Sequence, residues 1–517
     1  MSSPPARGRN GWLSGVLAVE PYAVVFLASG ITLILEIVAA RILAPHIGVS
    51  VYTWTSIIGV ILAGISLGNW LGGVFADRWG GRSMLGLIFL AGAAATILVP
   101  VLALWAPNWT ADFPVLGRIV LLTVILFFLP SVLLAMVSPT VIKLTLRDLK
   151  STGKVAGRIY AVSTAGAILG TFLTGFVLIQ AFGSKATVVG LAIILAALGV
   201  VVGRLWRLRY RGFAAVAAFA FLFVWVWSNG PLKTSCLEES NYFCIRVIST
   251  ERDGNQIREL ILDQLVHSYI KLDDPTHLEY GYQKLFAEVV AAYTSERQDF
   301  RALFIGGGGY EMPRYLEEVY PESVIEVIEI DPEVTQTAHD ELGFRRDTRV
   351  VSFNEDARMN VPQRPHGAYD IVVGDAFNDV SVPYHLTTTE FTAEVKKLLR
   401  PDGIYAMNIV DAPKQGRFLK AIVHTLRERW AYVYVMNEDG LLDFDQRATT
   451  VVAASDRELD ENFIRLKTAQ KIGRVPLVRF VSEERVDAWL ASAAKVILTD
   501  DFAPTDNYLA PIYLKSR

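Results

Sequence analysis

The sequence predicts an α-helical multi-pass membrane domain followed by a doubly wound α/β domain, with a small β subdomain between them. Three observations point there. Long apolar runs are confined to the residues before about 230. Beyond residue 245, short apolar runs alternate with charged, helix-like stretches. One of those short runs leads straight into four consecutive glycines, Gly306–Gly309. With 517 residues, more than one folding unit is expected.

The membrane half comes first. A helix needs about 20 mostly apolar residues to cross the hydrocarbon core. Seven runs qualify or nearly so, at 22–44, 54–76, 84–105, 117–137, 158–182, 186–203 and 212–228. They account for a hydrophobic fraction of 52% and a mean hydropathy of +0.35. Arg7 and Arg9 precede the first run, but no small-residue cleavage site follows it, so that run is read as a retained helix. Small residues recur every fourth position in Gly64, Gly68 and Gly72, and again in Gly166 and Gly170, a spacing that lets helix backbones approach closely. Glu36 and Arg41 sit within or at the end of the first span. An ionisable group there is costly; pairing, with each other or a neighbouring helix, is the plainer reading and transport the sharper one.

Loop charges give an orientation. Thirteen Lys/Arg lie in the tail and in loops 77–83, 138–158 and 204–211, against three on the opposite side. Positive loops stay inside, which places the amino terminus in the cytoplasm of a cell (inner) membrane. Seven crossings then leave the second half outside. Gly73-Val-Phe-Ala-Asp77-Arg78-Trp-Gly80-Gly-Arg82 resembles the cytoplasmic loop between the second and third helices of major-facilitator transporters.

The formal net charge of −3 and pI of 6.2 give no reason to expect a nucleic-acid partner. Cys236 and Cys244 are the only cysteines, too few for a zinc site, and no metal is expected. They flank a short segment just after the last span, and a disulfide between them would persist only in an oxidising compartment.

In the second half, Cys244–Ile248 and Glu259–Asp263 read as a strand pair joined near Asp253-Gly254. A helix is expected around 278–294. Ala302–Ile305 reads as a buried parallel strand entering the glycine run, with a helix from about 312. Further strands are Val324–Ile330, Val350–Phe353, Tyr369–Val373 and Ile404–Ile409. Such alternation means a doubly wound, Rossmann-like parallel sheet, which binds ligands at the carboxyl ends of its strands. Gly306, Gly307, Gly308 and Gly309 let the backbone approach a ligand, with a helix amino terminus behind. Glu329 follows Gly306 by 23 residues, where an acid can accept both ribose hydroxyls. Asp331 stands beside it, Glu355 and Asp356 end the third strand, and Asp375 ends the fourth.

These residues carry a resemblance. Segment 259–410 resembles the polyamine aminopropyltransferases, the spermidine synthase family, and especially its forms fused to a hydrophobic amino-terminal region. Leu262-Asp263 with Val266 looks like the family's Leu-Asp-Gly-Val strand, Phe304–Asp331 keeps its spacing from glycine loop to Glu-Ile-Asp, and Tyr369–Asp375 resembles the strand delivering its catalytic aspartate. Leu399-Arg-Pro-Asp-Gly403 looks like its Leu-x-Pro-Gly-Gly turn. The resemblance implies a transmembrane domain over 1–230, a small β subdomain and linker over 231–275, and a spermidine synthase-like domain over 276–517. It implies that Glu329 holds ribose, Asp356 the adenine amino group, and Asp375 deprotonates the attacking amine. The co-substrate is then decarboxylated S-adenosylmethionine, or S-adenosylmethionine itself, and the acceptor a small amine, putrescine by default. Because S-adenosyl compounds are made in the cytoplasm, this argues against the outside placement.

The departures fall on the acceptor side. Where the family's glycine loop carries an Asp, this chain has Gly309. The family's Tyr-His-Glu triplet matches only at Tyr280, its Gln is His267, and the second acid of its Asp-x-x-Asp motif is Asn378, with Asp379 one step on. Asp263, His267, Tyr280, Asn378 and Asp379 are the acceptor-site candidates; His267 reads either as a base or as a packed histidine. Competing readings are a methyltransferase of the same fold, and a non-catalytic adenosine- or polyamine-binding domain coupled to a transporter-like half. The remaining expected partners are the lipid bilayer and a second copy of the chain, as a homodimer.

Overall fold

A computed structural model describes residues 10–146, 148–208, 210–228, 236–252, 254–296, 299–376 and 381–515. The chain divides into two compact units, Met1–Ile47 with Val51–Ser235, and Gly48–Ser50 with Cys236–Arg517.

Among the described residues of the first unit, six helices are long and apolar enough to cross a membrane. They are α1 (Asn10–Ile47, its span Glu20–Ile47), α2 (Val51–Trp79), α3 (Arg82–Trp109), α4 (Val115–Thr145), α5 (Leu149–Gly203) and α6 (Tyr210–Ser228). The seven expected runs become six because the fifth and sixth share α5. At 55 residues, α5 would extend about 80 Å if straight, far more than a ~30 Å hydrocarbon core. It is not straight. Gly183, at φ 71° and ψ 172°, leaves helical geometry and divides α5 into two arms.

Glycines bring the helices together in pairs. A Cβ on Gly166 would lie 2.1 Å from Phe26 O, which sets the first arm of α5 against α1. Gly203, in the second arm, would meet Gly86 Cα of α3 at 2.5 Å. On α2, Gly68 and Gly72 would meet Val132 O at 2.2 Å and Met136 Cα at 2.7 Å of α4. Small residues allow this close backbone approach between long apolar helices. Where α2 gives way to α3, Asp77 accepts from Lys143 at 2.7 Å and Arg82 pairs with Glu20. The Asp77–Lys143 pair is exposed and contributes little. Glu36 and Arg41 are both half-buried within α1.

This packing sets a test. Gly68→Val should destabilise the full chain in detergent by about 1–3 kcal/mol or more, through overpacking. Gly59→Val, where a Cβ meets nothing within 4 Å, should leave the melting temperature close to wild type. Equal melting temperatures for the two variants would refute the tight α2–α4 contact.

The second unit opens with a four-stranded antiparallel sheet, order β1-β2-β3-β4: Glu238–Glu239, Cys244–Arg252, Asn255–Leu262 and Leu265–Lys271. The expected strand pair is there as β2 and β3, longer than read, and β4 extends it through a second hairpin. Cys236 and Cys244 are joined by a disulfide, Cα to Cα 5.3 Å.

The large sheet has eight strands in the order β12-β10-β11-β9-β8-β5-β6-β7. Its parallel part is β5 (Arg301–Ile305), β6 (Val324–Ile328), β7 (Val351–Phe353), β8 (Tyr369–Gly374) and β9 (Leu399–Asp411). The five expected strands are parallel as read, and three further strands make the sheet mixed. β10 (Tyr432–Asn437), β11 (Ala448–Ser455) and β12 (Arg479–Phe480) pair antiparallel. Only ten residues separate β10 from β11, too short for a helical crossover. The expected turn at Pro401-Asp-Gly403 is a bulge inside β9: Leu399 pairs with Tyr369 and Ile404 with Ile371. Helices cover both faces, so neighbouring residues serve separate cores. Phe304 and Val327 face one apolar cluster, Leu303, Ile305 and Val372 the other. The helices used below are α7 (Gly281–Tyr293), α8 (Glu311–Val319) and α9 (Pro332–Glu341).

Candidate active site

The site is built where three parallel strands end. The ladders continue one residue past β5, β6 and β8: Gly306 N–H donates to Ile328 O (2.8 Å), Glu329 N–H to Phe353 O (3.0 Å) and Asp375 N–H to Ile305 O (2.8 Å). Gly306, Glu329 and Asp375 therefore emerge side by side on one edge. Gly306 adopts φ 101°, and a Cβ there would lie 2.3 Å from Asp375 O. Only glycine allows that approach. Tyr310 closes the loop at φ 56°, its hydroxyl 2.9 Å from Thr335 Oγ1, and α8 follows.

Glu329 is buried beneath the loop. Its Oε2 accepts from the N–H groups of Gly307 (2.8 Å) and Gly308 (3.1 Å), and its Oε1 from Asp331 N–H (3.0 Å). Burial raises its pKa, and these three main-chain donors oppose the shift. Asp375 is held from both sides: Tyr282 O–H donates to Oδ2 at 3.0 Å and Asn408 Nδ2 to Oδ1 at 2.9 Å. Burial raises its pKa as well, against those same two hydrogen bonds.

The other sequence candidates have mixed positions. Asp331 caps α9 through Glu333 N–H (3.0 Å) and accepts from Ser240 of the small sheet. Burial first, then its neighbour Glu333, pushes it up to about 7. Asp356 caps the short helix Ala357–Asn360 through Arg358 N–H (2.8 Å), with His385 Nε2 3.8 Å away. Glu355 is exposed and accepts from Asn360 at 2.7 Å. Asp263 lies in the β3–β4 turn at φ 51°, where its carboxylate accepts from Cys244 N–H at 2.9 Å.

His267 Nε2 is buried with no hydrogen-bond partner among the described residues. Burial, then the Arg447 charge, pushes its pKa down to about 4, so the ring is neutral and a weak base near pH 7. Tyr280 donates to Val266 O at 2.6 Å, and its ring packs between Tyr269 (4.8 Å) and Tyr282 (5.4 Å). Gly309 is bare for a steric reason. Its N–H donates to Ser268 Oγ at 2.9 Å, and a Cβ there would lie 2.6 Å from Ser268 Cβ. Asn378 and Asp379 lie outside the described residues.

Sequence reasoning passed over Tyr282 and Asn408 as partners of the key carboxylate. Asn408 had a signal, as the one polar residue within the apolar stretch Ile404–Ile409. Tyr282 had none, since its role depends on α7 crossing the end of β8.

Residues 279–434 match the spermine/spermidine synthase domain. A polyamine aminopropyltransferase of Vibrio vulnificus (strain CMCP6) is 37% identical over 116 residues, 22% of this chain and 39% of that protein. A probable polyamine aminopropyl transferase of Bifidobacterium longum (strain NCC 2705) is 29% identical over 126 residues, 24% of this chain and 28% of that protein. The chain thus spans less than half the length of each. Among solved structures, a probable spermidine synthase from Corynebacterium glutamicum ATCC 13032 aligns with a TM-score of 0.45 and 23% identity, over 52% of this chain and 96% of that one.

Proposed function

We propose that this chain, whose residues 279–434 are a spermine/spermidine synthase domain, transfers an aminopropyl group from decarboxylated S-adenosylmethionine to an amine. One observation carries the reading: Asp375, oriented by Tyr282 and Asn408, stands at the strand end beside the glycine loop, with Glu329 on the loop's other side. In this mechanism Glu329 accepts from the ribose hydroxyls and Asp356 receives the adenine amino group. Asp375 takes a proton from the acceptor, because an ammonium has no lone pair. The amine nitrogen bonds to the carbon beside the sulfonium as the carbon–sulfur bond breaks. The electron pair stays on sulfur, and neutral methylthioadenosine leaves. Much of the rate in such a displacement comes from positioning. Transfer of a methyl group from S-adenosylmethionine is the second reading. It is favoured by Gly309, where Ser268 leaves no room for an acid to hold an aminopropyl ammonium. Purified full chain given each co-substrate with putrescine, then other amines, decides between them. Methylthioadenosine release is expected; adenosylhomocysteine would support the second reading, and neither product would leave a nucleoside-binding domain.

For topology we propose seven crossings, counting the arms of α5 separately at Gly183. The basic loop 204–211 then lies in the cytoplasm and α6 leads out, so the second unit is extracytoplasmic. The Cys236–Cys244 disulfide supports this, since it would not persist in a reducing cytoplasm. Cytoplasmic supply of S-adenosyl compounds is the opposing consideration. In intact cells, a membrane-impermeant thiol reagent should label the two cysteines only after reduction. Free thiols reached only by a permeant reagent would place the domain in the cytoplasm.

A further inference from the structure

We propose that Glu311 is a positioning residue for Asp375, acting through Gln283 and Tyr282 as a buried chain of hydrogen-bonding groups. This role rests on the transferase reading above. Glu311 opens α8 two residues after the glycine loop and is only 5% exposed. Its Oε1 accepts from Glu279 N–H at 3.0 Å. Among the described residues its Oε2 has no donor and Gln283 Oε1 has none either, and Gln283 lies near enough to act on the Glu311 carboxyl. Gln283 is buried on α7, and its Nε2 reaches the Tyr282 hydroxyl at 3.5 Å, the longest link. Tyr282 O–H completes the chain at Asp375 Oδ2.

A proton on Glu311 fills both gaps. The carboxyl then donates to Gln283 Oε1, the amide donates to Tyr282, and Tyr282 donates to Asp375. Ionised, Glu311 needs donors instead. The Gln283 amide turns over to offer its NH₂, and its carbonyl then draws the Tyr282 proton away from Asp375. The chain therefore has two polarities, and only the neutral one holds Asp375. Burial pushes Glu311 up to about 8; the Glu279 N–H, the Gln283 NH₂ of the turned-over amide, the Tyr269 N–H and the Arg314 charge oppose it. The other groups facing it are Tyr280 at the cap of α7 and Tyr282 on it, with Asp375 behind Tyr282 and Asp274 acting on Arg314. Rising pH ionises Glu311, so kcat should fall through that range.

Two measurements on the full chain test this. In the pH profile of methylthioadenosine release, Glu311→Gln should keep kcat within about twofold at neutral pH and lose the alkaline fall, because its amide donates at every pH. Glu311→Ala should lower kcat roughly tenfold or more with KM nearly unchanged. In difference infrared spectra, wild type should show a protonated carboxyl band that disappears on the alkaline side and is missing from Glu311→Gln. An absent band, or an alkaline fall that persists in Glu311→Gln, would overturn the relay while leaving the transferase reading intact. A wild type that binds methylthioadenosine but releases none with any amine would overturn the transferase reading, and this role with it.

Discussion

Asp375→Asn should lower turnover at least ~100-fold while methylthioadenosine affinity changes little, because the substitution removes a proton acceptor and keeps the shape. The surroundings can accommodate it. The carbonyl of the introduced amide could still accept from Tyr282, and Asn408 could rotate its own amide to meet the new NH₂, since Asn408 Oδ1 has no partner among the described residues. The loss would therefore be chemical. Asp375 must be ionised to accept a proton, and burial raises its pKa, so the wild-type rate should fall as pH drops through that raised value. Near wild-type turnover in Asp375→Asn would remove it from the mechanism.

Glu329→Ala should weaken methylthioadenosine binding by about 1.5–3 kcal/mol, the range for a hydrogen bond to a charged group, or roughly 10–150-fold in Kd. The carboxylate has two tasks. It would receive the ribose, and it already accepts from the N–H groups of Gly307, Gly308 and Asp331. A carboxylate offers about four acceptor positions, so ribose must share them with the loop or displace one amide. Glu329→Gln keeps one carbonyl oxygen and should fall between wild type and Glu329→Ala. Calorimetry on the full chain decides. Unchanged affinity in Glu329→Ala would show that the pocket lies elsewhere.

The parts of this site legible in the sequence are those that local pattern determines. Gly306, Glu329 and Asp375 each follow a short apolar run, and parallel strands in one sheet bring such ends to one edge. Asp331, expected at the cofactor site, caps α9 in the structure; an acid directly before Pro332 signals such a cap, and that signal went unused. What could not be read depends on how elements cross. Tyr282, Gln283 and Glu311 belong to two helices that meet only in the folded unit, and nothing in either segment names the other. In the sheet, β10 and β11 could be found as apolar runs, but their direction follows from a connection without a helix. In the membrane half, composition finds apolar stretches readily. The gap between the runs 158–182 and 186–203 falls at Gly183, where the structure breaks α5 into two arms.

The bonds that the glycine loop's amides make to Glu329 also bear on which charge the proposed site would accept. In nucleotide-binding loops, free main-chain amides at a helix start attract phosphate. Here two of those amides already face a carboxylate of the same chain. An incoming phosphate would have to displace Glu329 and then remain beside it, two anions in a poorly solvated corner. A positively charged sulfonium meets the opposite field. In the proposed transferase the loop should act as a charge filter, turning a fold widely used for nucleotides toward nucleosides that carry no phosphate.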